Sequence, residues 1–217
     1  MLIACWSVKG GSGTTVVASA LALLHARTAP AGALLADLVG DVPAALGIPE
    51  PVGPGLAAWL GATDDVGADA LERLAAPVAP GLHLLAAGTP APPSRPGRGS
   101  ALAATLARED RPVVIDAGSS PTDAAVDVAA GAAVSLLVVR PCFLALRRAV
   151  AAPVRPSAVV LVREPGRSLG RRDVEDALQV PVCAEIDLEP AVARAVDAGL
   201  LAARLPRSLA HALRHAA

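Results

Sequence analysis

The sequence predicts an α/β fold: a three-layer, doubly wound, mostly parallel sheet formed as a single domain over residues 1–217. Three observations predict it. Short apolar runs recur at spacings suited to alternating strands and helices. The first run leads directly into a glycine-rich turn and then into a helical pattern. Two of the later runs, 33–37 and 112–116, end on an aspartate, at the strand end where doubly wound sheets bind ligands.

Residues 2–8 are mostly apolar and read as a buried first strand. Lys9-Gly10-Gly11-Ser12-Gly13-Thr14-Thr15 forms the turn, and residues 16–24 carry an apolar helix pattern. A short strand over 33–37 ends at Asp37, and another over 81–86 precedes a proline-rich loop from Pro90 to Pro96. Strands follow at 112–116, ending on Asp116, and at 133–139, 158–162 and 180–186. Helices are expected between them at 101–108, 122–130, 143–151 and 171–178. Pro190 suits the first position of a further helix and Gly199 its C-terminal cap. Residues 206–215 carry leucines at i and i+4 with basic residues opposite, the pattern of a helix docked on the domain. No internal repeat or domain-scale linker interrupts this order.

Composition narrows the class. A 53% hydrophobic content is ample for a core, and a net charge of −1 gives no global attraction to nucleic acid. The most apolar stretches, 16–24 and 127–139, are too short or too interrupted to span a membrane. Met1 leads straight into a strand, so the expectation is a cytoplasmic protein without a signal peptide. Cys5, Cys142 and Cys183 have no metal-ligand spacing and read as reduced thiols. His25 and His83 likewise offer no ligand spacing. Aromatic residues are nearly absent, and arginine replaces lysine everywhere except position 9.

The turn at 9–15 has the chemistry of a phosphate cradle. Gly10, Gly11 and Gly13 lack Cβ atoms, so the backbone can take unusual angles and close its N–H groups around phosphate oxygens. The following helix N-terminus adds partial positive charge, and the Thr15 hydroxyl is placed to hold a magnesium ion. The motif resembles the deviant Walker A loop of the MinD/ParA family of P-loop ATPases, Lys-Gly-Gly-x-Gly-Lys-Thr, here Lys-Gly-Gly-Ser-Gly-Thr-Thr. The resemblance implies ATP and Mg²⁺ as ligands, cradled by Lys9, Gly10, Gly11, Ser12, Gly13, Thr14 and Thr15. It makes Lys9 the signature lysine that reaches across an ATP-sandwiched homodimer to the partner's phosphates. Thr14 stands where the general P-loop lysine belongs, which removes a cation from the phosphates and predicts slow or absent turnover.

By the same resemblance, Val113-Val114-Ile115-Asp116-Ala117-Gly118 is the Walker B and switch II segment. Asp116 would hold Mg²⁺ through a water, and the Gly118 N–H would lie near the γ-phosphate. Asp37 is the counterpart of the first aspartate of the switch I Asp-x-Asp, a candidate for metal and catalytic roles. The second aspartate falls on Val39, again disfavouring hydrolysis, and Asp41 could replace it only through a rearranged loop. Residues 40–47, Gly-Asp-Val-Pro-Ala-Ala-Leu-Gly, look like a segment of the TadZ/CpaE-like branch, which acts in pilus assembly and polar localisation. The asparagine that reads adenine in the family is replaced by Val162, leaving base selectivity open, while backbone groups from Ile186 to Pro190 remain available to a base.

Three functions follow from the resemblance. The first is a nucleotide-dependent dimeric switch, acting in spatial organisation with weak or no hydrolysis and recruiting a protein partner. The second is an active ATPase of ParA or MinD type that uses nonspecific DNA or membrane as its matrix. Arg147, Arg148, Arg163, Arg167, Arg171 and Arg172 are its candidate DNA contacts, against a solvated helix face, and the leucine-alanine face of 206–215 argues against membrane. The third is a nucleotide-free pseudo-NTPase scaffold.

Overall fold

Strand β1 (Leu2–Trp6) is buried at every position, as a central parallel strand covered on both faces must be. The computed structural model describes residues 1–63, 66–89, 92–119 and 122–216; Pro90 and Ala91 of the expected proline-rich loop lie outside them. β1 ends earlier than its apolar pattern suggests, because the Ser7 N–H leaves the ladder and donates to the Gly118 carbonyl at 2.9 Å. Helix α1 (Thr14–Thr28) starts within the glycine motif and outruns its expected limits at both ends. It is followed by β2 (Ala33–Asp37), α2 (Val42–Leu46), α3 (Leu56–Gly61), α4 (Ala68–Leu74), β3 (Ala76–Ala79) and β4 (Leu82–Leu85).

The second half alternates regularly. It contains α5 (Arg98–Leu106), β5 (Val113–Asp116), α6 (Asp123–Gly131), β6 (Val134–Val139), α7 (Phe143–Val150) and β7 (Ala158–Arg163). Then come α8 (Arg171–Leu178), β8 (Val182–Asp187), α9 (Pro190–Asp197) and α10 (Arg207–Leu213). Local chemistry sets several boundaries. The Thr122 hydroxyl caps α6 by accepting the Ala125 N–H at 3.2 Å. Pro190 opens α9, and Gly199 (φ +63°) lies just beyond its end.

Eight strands form one sheet in the order β3-β4-β2-β5-β1-β6-β7-β8. All neighbours are parallel except β3, which runs antiparallel to β4 at the edge. Pro77 in β3 suits an edge, where a missing N–H costs no ladder bond. The chain alternates its burial across this sheet. Leu2, Ala4 and Trp6 of β1 join α3 to α8 in one core, while Ile3 and Cys5 join α1, α2, α9 and α10 in the other. Leu209 and Leu213 bury the apolar face of α10 against α1 and β8, so the last helix docks on the domain. Among the described residues no helix is long and apolar enough to cross a membrane.

Specific polar contacts fix these layers. The Trp6 Nε1–H donates to the Ser135 hydroxyl at 2.9 Å in the interior, meeting the need of a buried indole for a partner. Arg98 lies 3.8 Å over the Trp59 ring and donates to the Trp59 carbonyl at 2.9 Å, tying α5 to α3. The ends of α2 and α9 interlock through two glycines: a Cβ on Gly47 (φ +73°) would overlap the Gly199 carbonyl, and one on Gly199 would come within 2.8 Å of the Gly47 Cα.

Candidate functional site

The parallel register brings the carboxyl ends of β1, β2 and β5 together, with Asp116 level with both Asp37 and Cys5. Five of the seven buried polar side chains among the described residues gather at this edge: Ser7, Ser12, Thr14, Asp37 and Asp116. A core otherwise built of aliphatic groups concentrates its polarity here, as a functional site requires.

The glycine loop leaves β1 and enters α1 through left-handed backbone at Gly11 (φ +74°) and Gly13 (φ +89°). Nothing lies within 4 Å of a Cβ at either position, so glycine is required by the backbone angles and not by crowding. Gly13 caps α1 without a side-chain acceptor. The first N–H groups of the helix are therefore left to a ligand or to water. The Ser7 and Ser12 hydroxyls both donate to the Lys9 carbonyl, at 3.1 and 2.8 Å, and pin the start of the loop.

The loop from Gly11 to Val16, Val39 and Asp41 from the β2–α2 turn, and Gly118 and Ser119 after β5 enclose a cavity of about 240 Å³. Whole-ligand pockets run to roughly 300–1,000 Å³, so this cavity falls just below the size that takes a whole ligand. Thr14 is buried and Thr15 half-buried in its wall; Lys9 and Gly10 are exposed beside it. Lys9 makes no ion pair among the described residues.

The two aspartates differ in their surroundings. Asp37 Oδ1 accepts the Val39 and Gly40 N–H groups at 3.0 and 2.8 Å, and Oδ2 accepts the Val42 N–H at 3.1 Å. Its carboxylate thus shapes the turn that carries Val39 and Asp41. Burial raises its pKa, while the three N–H groups oppose that shift and the Asp41 charge adds to it. Asp116 Oδ1 accepts the Gly118 N–H at 3.0 Å, but its buried Oδ2 has no hydrogen-bond partner among the described residues. Burial pushes the Asp116 pKa up to about 6, with the Asp37 and Asp41 charges adding and the nearby Thr15 hydroxyl and Gly118 N–H opposing. Burial and the Asp116 charge also hold the Cys5 thiol well above its usual pKa, so it is an inert neighbour.

Gly118 (φ +75°) joins the two sides of the cavity. Its carbonyl accepts from Ser7, its N–H is given to Asp116, and a Cβ at this position would collide with the Val39 side chain. Val39 is thus packed on Gly118, and Asp41 is an exposed residue at the cavity wall. Sequence reasoning missed Ser7 and Ser119. A serine ending an apolar strand was a usable signal for the first; the second had none, because its place depends on the turn after β5.

The candidate basic residues separate into two groups. Arg163 pairs with Asp187 at 2.6 Å and Glu185 at 3.5 Å, Arg167 with Glu164 at 2.7 Å, and Arg171 with Glu175 at 3.1 Å. Arg140 and Arg167 together hold the Glu164 pKa down to about 2. Arg147, Arg148 and Arg172 make no ion pair among the described residues. At the other candidate region, the Leu188 N–H is already given to the Arg163 carbonyl at 2.8 Å, which removes one backbone donor from the 186–190 segment.

No protein-family model matches the chain, and no curated protein matches it. Solved structures do. A ParA family ATPase from Chlorobium tepidum superposes with a TM-score of 0.78 at 20% identity, over 98% of this chain and 95% of that one. The septum site-determining protein MinD of Pyrococcus horikoshii, complexed with Mg-ADP, gives 0.74 at 17% identity over 97% and 91%. A chain of the MinC:MinD cell division protein complex of Aquifex aeolicus gives 0.75 at 19% identity over 98% and 93%. The chain therefore has the fold of the ParA and MinD ATPases over essentially its whole length.

Proposed function

We propose that this protein is an ATP- and Mg²⁺-binding dimeric switch, and that nucleotide closes a homodimer which recruits a protein partner in spatial organisation of the cell. The observation that carries the reading is the buried Oδ2 of Asp116, unpartnered among the described residues and near the hydroxyl of Thr15, which lines the glycine cavity. An orphaned buried carboxylate oxygen is costly unless a proton or cation meets it. Mg²⁺ suits this place because it is usually held by one or two carboxylates and by substrate phosphates, not by an all-protein cage. Consistently, no group of three or more His, Cys, Asp or Glu side chains gathers for a metal among the described residues. Mg-ADP in the Pyrococcus horikoshii MinD and the MinC:MinD complex support the nucleotide and partner parts of the reading by similarity of fold.

In this reading Gly10, Gly11, Ser12, Gly13, Thr14 and Thr15 hold the phosphates through backbone N–H groups, and Thr15 and Asp116 hold the cation. Bound magnesium would neutralise phosphate charge. Asp37 anchors the β2–α2 turn; its Oδ1 already accepts two N–H groups, and Oδ2, which accepts one, keeps a lone pair toward the cation's water shell. Lys9, exposed and without an ion pair among the described residues, is the side chain that reaches a second protomer. Hydrolysis is weak because Thr14 adds no charge at the phosphates and Val39 places an apolar side chain where a water would need an acceptor. Asp41 stands at the cavity wall as the one acid that a rearranged turn could bring to that task. Gly118 approaches the phosphates only if its N–H turns from Asp116.

Isothermal titration tests this directly. ATP with Mg²⁺ is expected to bind the wild type and to bind Asp116→Ala at least about tenfold more weakly; equal affinity refutes the cation site, and absence of binding to the wild type refutes the switch in favour of a nucleotide-free scaffold. GTP and CTP titrations settle the base. A turnover rate matching that of lysine-bearing ATPases would favour the active ATPase instead.

A further inference from the structure

A second concave surface lies away from the glycine cradle, between α9 and α10. It is the larger of the two, about 920 Å³ against about 240 Å³. Arg194, Arg204 and Arg207 line it, over a floor that includes Ala195, Leu200 and Leu205. None of the three arginines has an ion-pair or hydrogen-bond partner among the described residues. Their neighbours in sequence are different: Arg163, Arg167 and Arg171 are each neutralised by a carboxylate. Over residues 189–214 the chain has four arginines against only Glu189 and Asp197, in a protein whose net charge is −1. Glu189 pairs with none of the arginines among the described residues, and its Oε2 accepts the Ser208 hydroxyl at 2.8 Å. That bond also ties the start of α9 to α10. The floor is held as well, because Leu200 follows Gly199, which is locked against Gly47.

We propose that this cleft is a second anion site, which binds a compact ligand carrying two or more phosphate groups. Three arginines lining one cavity suit clustered phosphate oxygens, since each guanidinium can donate two parallel N–H bonds. A nucleic-acid strand is a poorer occupant. No aromatic side chain lines the cleft to stack a base, and the ion pairs of Arg163, Arg167 and Arg171 interrupt the basic stripe that a duplex backbone needs. The proposal is independent of nucleotide binding at the glycine cradle.

The test is a titration at low ionic strength with inorganic tripolyphosphate, followed by NMR of backbone amides and arginine Nε–H groups. A parallel arm uses phosphatidylglycerol vesicles, with phosphatidylcholine vesicles as the neutral control. The expected result is shifts at Arg194, Arg204 and Arg207 and along 190–208, and affinity at least about tenfold lower in Arg204→Ala/Arg207→Ala. Those residues are exposed, so the variant should keep the wild-type fold, which circular dichroism checks. Binding to tripolyphosphate alone identifies a free phosphate ligand, and additional binding to the anionic vesicles identifies a lipid headgroup; either supports the site. Shifts confined to residues 9–15, affinity unchanged in the double variant, or a preference for duplex DNA with shifts extending to Arg147 and Arg148 would overturn it.

Discussion

Replacing Asp116 by asparagine separates what the carboxylate costs the folded chain from what it contributes to a ligand. The Asp116 pKa rises from 3.8 to about 6, chiefly because it is buried. The folded state therefore holds this proton more tightly than the unfolded state. Stability falls as pH rises between those two values, and above about pH 6 the full penalty is present. Two pK units correspond to about 3 kcal/mol, an upper bound for one coupled buried group. Asparagine keeps an acceptor for the Gly118 N–H and removes the charge. Asp116→Asn should thus be more stable than the wild type by about 1–3 kcal/mol at pH 8, a rise of several degrees in Tm for a domain of this size, and should lose that advantage near pH 4. His25, whose pKa is lowered chiefly by burial, gives the opposite slope, but it is common to both proteins and cancels in the difference. Urea denaturation without nucleotide at pH 4, 6 and 8 is the assay. A variant no more stable at pH 8, or a gain equal at pH 4 and pH 8, would refute the electrostatic reasoning. Adding ATP and Mg²⁺ should stabilise the wild type and leave the variant unchanged.

The glycine contacts give further expectations. Gly118→Ala should cost about 1–3 kcal/mol, from positive φ and collision with Val39; in Val39→Ala the same substitution should cost less, and a double-mutant cycle measures the coupling. Gly47→Ala should cost at least about 3 kcal/mol by denaturant unfolding, because its Cβ meets backbone and not a movable side chain. Trp6→Phe strands the Ser135 hydroxyl and should cost about 1–3 kcal/mol, read from the urea midpoint.

The alternating order of strands and helices was legible because buried parallel strands are written as short apolar runs, and seven of the eight strands have one. β3 was illegible: Ala-Pro-Val-Ala carries no alternation, and only the neighbouring β4 makes it a strand. The short helices α2, α3 and α4 span too few turns to show a period. At the site, glycine and threonine spacing located the left-handed loop and the hydroxyls around the cavity, since backbone angle and hydroxyl placement are local properties. The Asp37 bonds to Val39, Gly40 and Val42 are local too, but the packing of Val39 on Gly118 joins residues far apart in sequence and needs the sheet register to become visible. The same holds for the arginines. Arg163, Arg167 and Arg171 look basic in sequence and are neutral pairs in space, while the unpaired trio at Arg194, Arg204 and Arg207 comes together only when α10 folds back beside α9.

The central claim is that nucleotide bridges two protomers through Lys9. Light scattering coupled to size exclusion, with ATP and Mg²⁺, ADP and Mg²⁺, or no nucleotide, tests it most directly. The account predicts a mass near twice the 21.6 kDa of the chain with ATP, persisting through the run because hydrolysis is slow, and a Lys9→Ala protein that binds ATP but stays at the mass of one chain. A wild-type mass that ATP leaves unchanged, or a Lys9→Ala protein that dimerises as the wild type does, would contradict it.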